Sequence, residues 1–330
     1  MTSPDHPIAH RRYTATSLAA ATSLAAGGLL LQRGHGGMPL AAAVVSLFLL
    51  LLPYFLGGLT DLPQRLGRWL DHRPARLLAA AALLLVPYGV YAVGTDTFTP
   101  SAALKLAVFV LAPACLLAPS ARAASRLTWP DALAVLALWL PLDFRLFRGV
   151  WAWPEGGGAY TMNVALAVDL ALLLFVAFRQ LDGVGYRFQI GRKDLAAFGI
   201  NFAMCVALVV PLGIAIGFVR FNPDTSPASF VASFLAILLT IGLPEELLFR
   251  GLIQNLLQKT WGHAGRALVV TSVIFGLAHL NNGPQPDWRY AVLASVAGFF
   301  YGRAYLQSGG LMAAALVHAS IDAVWRGFFR

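Results

Sequence analysis

The chain has 330 residues, of which 58% are apolar and only 12% are charged, and its mean hydropathy is +0.69. This balance excludes an ordinary soluble domain and indicates an integral membrane protein that crosses the bilayer several times. The formal net charge is +9, but the basic residues lie mostly in short connections between apolar runs, so we attribute it to membrane orientation and predict no nucleic-acid partner.

Apolar runs long enough to cross a bilayer follow one another along the chain. A spanning helix needs about 20 mostly apolar residues. The first run, Thr16 to Leu31, follows Arg11 and Arg12, and we interpret it as a first span, not as a secretory signal. Further runs cover residues 38–58, 77–93, 102–118, 162–178 and 196–219, with a shorter window at 131–142. The sequence predicts an all-α protein, a polytopic transmembrane helical bundle of roughly eight to eleven spans.

The distribution of polar residues divides the chain unevenly. Residues 1–194 are predicted to form N-terminal transmembrane helices of unknown role, and 195–330 a second domain in which the chemistry is concentrated. Asp169 is the one clear acidic residue inside an apolar run of the first segment. A charge inside a bilayer costs about 2.5–3.5 kcal/mol, which makes Asp169 a functional candidate. We favour a structural pair with an amide or arginine of a neighbouring helix, because no second ionisable group accompanies it at helical spacing.

The stretch LPEELLFRG, from Leu243 to Gly251, places two carboxylates and an arginine in a very apolar region. On a helix, residues four apart share a face, so Glu246 can pair with Arg250. Glu245 is turned by about 100° and lacks that partner. The spacing therefore predicts a structural ion pair beside a free carboxylate, and Pro244 indicates a break or kink that opens space beside it.

Two later stretches carry histidines on apolar helices. FGLAH places Phe275 and His279 four residues apart near the end of one helix, and HASID places His318 and Asp322 four apart on the last apolar run. Taken singly, each is more often a packed or hydrogen-bonded structural group than a catalytic one. Together with Glu245 they are hypothesised to meet at one cavity, where an acid and an imidazole activate water and a second histidine and its partner stabilise a developing oxyanion. The predicted chemistry is amide hydrolysis inside a membrane.

These three patches resemble the signature of the CAAX protease and bacteriocin-processing family, the CPBP or Abi intramembrane proteases, which includes the type II CAAX prenyl endopeptidases. The family's EExxxR, FxxxH and HxxxN or HxxxD occur here in order, between about residues 195 and 328; they correspond to Glu245, Glu246 and Arg250, then Phe275 and His279, then His318 and Asp322. The three motifs together are fairly specific, although each alone is weak.

The resemblance implies an all-helical peptidase, metalloendopeptidase-like by its common label, that cleaves a protein or peptide in a bacterial cell membrane. Glu245 and His279 would activate water, and His318 and Asp322 would shape the oxyanion site. Glu246, Arg250 and Phe275 would be structural support.

The cofactor is left open, because a set of Glu245, His279 and His318 suits either a divalent metal such as zinc or direct action on water. An ionised Asp322 accepts hydrogen bonds but cannot donate them. It is therefore protonated, or orients His318, or helps to bind a cation, and we favour orientation of His318.

Two other classes of function compete with the peptidase. A proton-coupled transporter would use Asp169, Glu245 and the histidines as a relay, but the chain shows no internal repeat and its polar groups lie mainly in the last third. A catalytically silent scaffold or immunity protein would have kept the fold alone, and intact Glu245, His279 and His318 argue against it.

Overall fold

The structure is a computed structural model, and it describes residues 6–120, 126–154, 158–283 and 285–330. It is helical almost throughout, which confirms the predicted polytopic helical bundle. Within these ranges twelve helices follow one another: α1 (His6–Gln32), α2 (Gly37–Leu59), α3 (Leu62–Leu70), α4 (Pro74–Gly94), α5 (Pro100–Leu117), α6 (Trp129–Asp143), α7 (Ala159–Phe178), α8 (Arg192–Ala215), α9 (Pro227–Trp261), α10 (Ala264–Ala278), α11 (Trp288–Ser308) and α12 (Leu311–Phe328).

Seven of these helices are long and apolar enough to cross a membrane, namely α1, α2, α4, α5, α7, α8 and α9. They coincide with the expected runs and add α9, which carries the EExxxR motif. The short window at 131–142 lies in α6, which has 15 residues. α10 is apolar but also has 15 residues. α12 has 18 residues, but polar residues such as His318 and Asp322 lower its hydropathy. Neither α10 nor α12 is therefore among the seven.

The chain divides into two compact units, Met1–Ala124 with Thr128–Asp182, and Ser125–Leu127 with Gly183–Arg330. In the first unit, a buried ion pair links α6 to the end of α7. Arg179 donates from Nε to Oδ1 of Asp131 at 2.8 Å and from Nη2 to Oδ2 at 3.0 Å. Two parallel bonds of this kind fix both side chains, which satisfies an arginine and a carboxylate that are costly to bury separately.

Asp169 lies on α7 in the first unit, and the pairing favoured for it is wrong. Its side chain is only 4% exposed, and neither carboxylate oxygen has a hydrogen-bond partner in the described part of the chain. The sequence favours the pair because no second ionisable group accompanies Asp169 at helical spacing, and such spacing cannot locate a partner on another helix.

Replacing Asp169 with valine is expected to raise the thermal midpoint of the purified protein, because it removes a buried polar group whose burial without a partner costs about 1–3 kcal/mol. Asn163, on the same helix, is the matched control: its Oδ1 accepts a 2.7 Å hydrogen bond from the Trp151 indole. Asn163→Val should therefore lower the midpoint. A drop for Asp169→Val as large as that for Asn163→Val would show that Asp169 has a partner.

In the second unit, α8, α11 and α12 pack against one another, α10 lies along α11, and the first half of α9 packs on α12. The segment after α8 runs antiparallel to the residues that end α12. Arg220 and Arg330 exchange backbone hydrogen bonds of 2.6 and 2.9 Å, and the N–H groups of Asn222 and Asp224 donate to Phe328 and Gly327. Four hydrogen bonds therefore hold residues 220–224 against 327–330.

Candidate active site

The two adjacent glutamates lie in the middle of α9, in a helix that continues through Pro244. The backbone is π-helical at Leu238–Gly242 before the pair and again at Leu247–Gln254 after it. A proline removes one donor and crowds the carbonyl four residues earlier, and a wider π turn accommodates both effects without ending the helix. The expected break is therefore a local widening, of the kind that frequently occurs at functional sites.

Glu246 and Arg250 form the predicted ion pair, with Nη1 2.9 Å from Oε1 and both side chains fully buried. Arg250 also donates from Nη2 to the Gly298 carbonyl of α11 at 2.8 Å, and its guanidinium lies 4.6 Å from the Phe275 ring centroid. The approach requires glycine at 298, because a Cβ there would lie 2.9 Å from Cδ1 of Phe275 and 3.1 Å from Nη2 of Arg250. The pair thus joins α9 to α11.

The same oxygen of Glu246 also holds His318 of α12, since Nδ1 of His318 lies 2.8 Å from Oε1. The ionised carboxylate only accepts, so Nδ1 carries the proton and donates it. Tyr301 stacks on a face of the ring, with ring centroids 4.6 Å apart and planes 14° apart. The imidazole is therefore held at Nδ1 by Glu246, while Asp322, which the sequence favours for orienting it, faces Nε2 at 3.6 Å.

The Nε2 atom of His318 faces the other two carboxylates of the site. Oδ2 of Asp322 lies 3.6 Å from it and Oε2 of Glu245 lies 3.9 Å from it, both longer than a direct hydrogen bond. Oε2 of Glu245 is buried and has no hydrogen-bond partner in the described residues, although the side chain as a whole is 27% exposed. An acceptor left without a donor in this position suits a bound water.

His279 is the residue that ends α10, and its ring is held in the same way. Its Nδ1 lies 2.7 Å from the Phe275 carbonyl, so Nδ1–H donates and Nε2 of a neutral ring is free to accept. Phe275 therefore supports His279 through its backbone and Arg250 through its ring. Glu245 lies within electrostatic reach of His279, His318 and Asp322, so the four side chains form one group.

Close packing of α10 on α11 brings His279 beside Tyr290. A Cβ at Gly276 would lie 1.9 Å from Oγ of Ser295 and 2.3 Å from the Ala291 carbonyl, so only glycine permits this crossing. The Tyr290 ring is edge-on to His279, with centroids 5.0 Å apart. Asp287 caps α11, and the bound Arg289 guanidinium lowers the pKa of its carboxyl, so the cap persists in mild acid.

A cavity of about 70 Å³ lies among α8, α10, α11 and α12. Its polar side chains are His279, His318, Asp322 and two tyrosines, Tyr290 and Tyr301. The rest of the wall is aliphatic and aromatic: Val209, Val210, Phe218, Val219, Phe275, Leu293, Ala294, Ala297, Ile321, Val324, Trp325 and Phe329. Glu245 is not among the lining residues. The cavity is thus an apolar space with imidazole, carboxylate and phenol groups on its wall.

The expected metal ligands do not fit a metal ion as they are arranged. Among the described residues, no group of three or more His, Cys, Asp and Glu side chains has metal-binding spacing. Both imidazoles have Nδ1 engaged as a donor, which leaves one nitrogen on each for any other role.

Comparison with known proteins gives a match that contains this site. Residues 227–324 match the family described as type II CAAX prenyl endopeptidase Rce1-like. The matched segment includes Glu245, His279, His318 and Asp322, and it bears out the resemblance recognised in the three motifs. No curated protein and no solved structure matches the chain.

At the level of the family, the Rce1-like segment supports an intramembrane endopeptidase of the CAAX type. Such a protease acts within the lipid bilayer on a protein or peptide. Together with the seven apolar helices, the match identifies an integral membrane protein.

Three features of the site were missed from the sequence. The bond between Glu246 and His318 joins residues 72 positions apart, and no local spacing indicates it. Tyr290 and Tyr301 lie on α11, between the recognised motifs. The only available signal was their spacing of eleven residues, or about three helical turns, which places both on one face of a helix.

Proposed function

We propose that the chain is an intramembrane endopeptidase that hydrolyses a peptide bond with water activated by Glu245 and His279. The observation that carries the proposal is the convergence of Glu245 and Asp322 on His318. Oε2 of Glu245 lies 3.9 Å from Nε2 of His318, and Oδ2 of Asp322 lies 3.6 Å from it. His318 and Asp322 line a cavity that His279 also lines. A carboxylate oxygen without a hydrogen-bond donor among the described residues, in the same site as the Nε2 atom of His279, suits the capture and deprotonation of one water.

The reaction then runs in two steps. Glu245 takes a proton from the water while the water oxygen bonds to the peptide carbonyl carbon. The π electron pair of the carbonyl group moves onto the carbonyl oxygen. The intermediate collapses, the carbon–nitrogen bond breaks, and the proton held by Glu245 passes to the leaving nitrogen. A carboxylic acid and an amine result, and the acid passes its proton to the amine to give a carboxylate and an ammonium group. His279 accepts a hydrogen bond from the water and orients it.

In this proposal His318 and Asp322 border the carbonyl oxygen of the peptide, and Glu246 with Arg250 keeps His318 in place. The sequence leaves a metal such as zinc open, and no step above uses one. Dialysis against a chelator followed by zinc addition tests zinc dependence directly. A bacterial cell membrane likewise remains the expected location.

The proposal is tested with the full chain reconstituted in liposomes. The matched family acts on prenylated CAAX proteins by its name, so one arm uses a prenylated CAAX peptide and the other a pool of unprenylated quenched fluorescent peptides. We expect cleavage at one bond in at least one arm, with one ¹⁸O atom from labelled water in the new carboxylate. Absence of cleavage in both arms, with a proton-driven solute flux instead, would favour the transporter.

The proton relay has little support in the first unit. Among the described residues no charged group acts on Asp169, and both its oxygens lack partners. A relay needs successive groups within hydrogen-bond reach or a water between them. The peptidase therefore remains the function that the geometry supports best.

A further inference from the structure

The proposed site is rich in acceptors and poor in donors where a donor is needed. During hydrolysis the carbonyl oxygen gains negative charge, and hydrogen-bond donors directed at it lower the barrier. The ionised carboxylates of Glu245 and Asp322 can only accept. His279 has its Nδ1–H bonded to Phe275. His318 donates from Nδ1 to Glu246, and its Nε2 faces Asp322 and Glu245 at 3.6 and 3.9 Å, an arrangement that favours a protonated ring whose second N–H is directed at carboxylates.

Three other side chains of the cavity wall carry an O–H or N–H donor: Tyr290, Tyr301 and Trp325. The Tyr301 ring lies flat on His318, and the Cys205, Asp322 and Glu246 side chains act electrostatically on its hydroxyl. The Trp325 ring packs edge-on to Tyr290, with centroids 5.1 Å apart, and against Phe218. Neither arrangement involves Glu245.

Tyr290 lines the cavity together with His279, His318 and Asp322. Its ring is edge-on to His279 at 5.0 Å, and the charges of both Glu245 and Asp322 act on its hydroxyl. Gly276 fixes the crossing of α10 and α11 that brings the two residues together. The side chain of Asn282, which follows His279, lies close enough to interact with the same hydroxyl.

We propose that the Tyr290 hydroxyl is a catalytic donor, which hydrogen-bonds to the carbonyl oxygen of the substrate as that oxygen becomes negative. The inference rests on the proposed peptidase function. Tyr290 gives up no proton: Glu245 carries the proton from water to the leaving nitrogen, and the phenol O–H bond stays intact throughout. The hydrogen bond strengthens as charge develops, so it favours the transition state over the bound substrate.

The test begins with Tyr290→Phe, which keeps the ring and its packing. With the fastest-cleaved peptide from the liposome assay, we expect kcat to fall about 100-fold, as for loss of one oxyanion donor, and KM to stay within about twofold. Tyr305→Phe is the matched control, because it removes a phenol hydrogen bond from the same helix, to the Gly183 carbonyl, outside the cavity. The Tyr305→Phe variant should keep kcat within about threefold of the wild-type value.

A second pair of variants separates donation from packing. Asp322→Asn places an amide N–H donor beside the same position, so Tyr290→Phe should cost less than about tenfold in that background, against about 100-fold beside the native aspartate. Equal losses in both backgrounds would overturn the proposal.

Binding of a peptidyl trifluoromethyl ketone gives a measurement that does not need turnover. Its hydrate carries an oxygen where the oxyanion forms, and the corresponding peptidyl alcohol does not reproduce that charge distribution. Tyr290→Phe should weaken binding of the ketone at least about tenfold and leave the affinity for the alcohol within about twofold of the wild-type value.

Equal effects on ketone and alcohol, or an unchanged kcat, would overturn the role of Tyr290 while cleavage by the wild type left the peptidase intact. Failure of the wild type to cleave any peptide would instead remove the proposed function.

Discussion

Replacing Glu245 with glutamine is expected to lower kcat about 1,000-fold, within the range of about 10²–10⁴ that general acid–base catalysis contributes. The amide keeps the size of the side chain but cannot take a proton from water. Oε2 of Glu245 has no hydrogen-bond partner in the described residues, so the substitution breaks no observed bond of that atom. The variant should therefore fold normally and still bind the peptide, and the loss of activity should appear in kcat.

The control for this change is Asp61→Asn, the same conversion of a carboxylate to an amide at an exposed site. Asp61 precedes α3 and pairs with Arg65, whose guanidinium lowers the pKa of the Asp61 carboxyl. An exposed pair of this kind contributes little to stability, so both kcat and the thermal midpoint should be preserved. If Glu245→Gln retained more than about a tenth of the wild-type kcat, the assignment of Glu245 as the base would be wrong.

Replacing Arg250 with methionine is expected to lower the free energy of unfolding by about 3–5 kcal/mol, because it leaves the buried charge of Glu246 without its guanidinium. The carbonyl of Gly298 and the ring of Phe275 lose their contacts as well. Reversible unfolding of the purified variants in mixed micelles provides the measurement. Activity should fall too, because Glu246 is the acceptor that fixes His318.

A double variant separates the two effects. Combining Glu246→Leu with Arg250→Met replaces a buried ion pair by apolar groups, which is often neutral or stabilising. We expect stability to recover to within about 1 kcal/mol of the wild type. Activity should stay low, since Nδ1 of His318 then has no acceptor. Full recovery of activity with stability would contradict a role for Glu246 in positioning His318.

The membrane-spanning character and much of the site could be predicted because both follow from local patterns. Runs of apolar residues specify helices whatever their neighbours are, and the predicted pair of Glu246 with Arg250 follows from helical spacing. The π turns around Pro244 were not predictable, because a change of helical register leaves no periodic signal over so few residues. The helix continues through the proline, whereas the sequence favoured a break.

Contacts between helices were the part that the sequence could not supply. The bond from Glu246 to His318 adds a positioning residue beside Asp322, and Asp169 has no hydrogen-bond partner among the described residues, which contradicts the structural pair favoured for it. In both cases the identity of the neighbour depends on how helices cross. That crossing is set by glycines such as Gly276, whose importance appears only when the atoms opposite them are known.

The single oxygen of Glu246 that binds both Arg250 and His318 has a mechanical consequence. Through it, α9, α11 and α12 form a rigid frame, and the reacting groups on α9 and α12 keep their spacing when neighbouring parts of the unit move. The cavity wall also includes Phe218 and Phe329, which lie outside the helices on segments joined by four backbone hydrogen bonds. This part of the wall is therefore held by bonds that do not depend on Glu246.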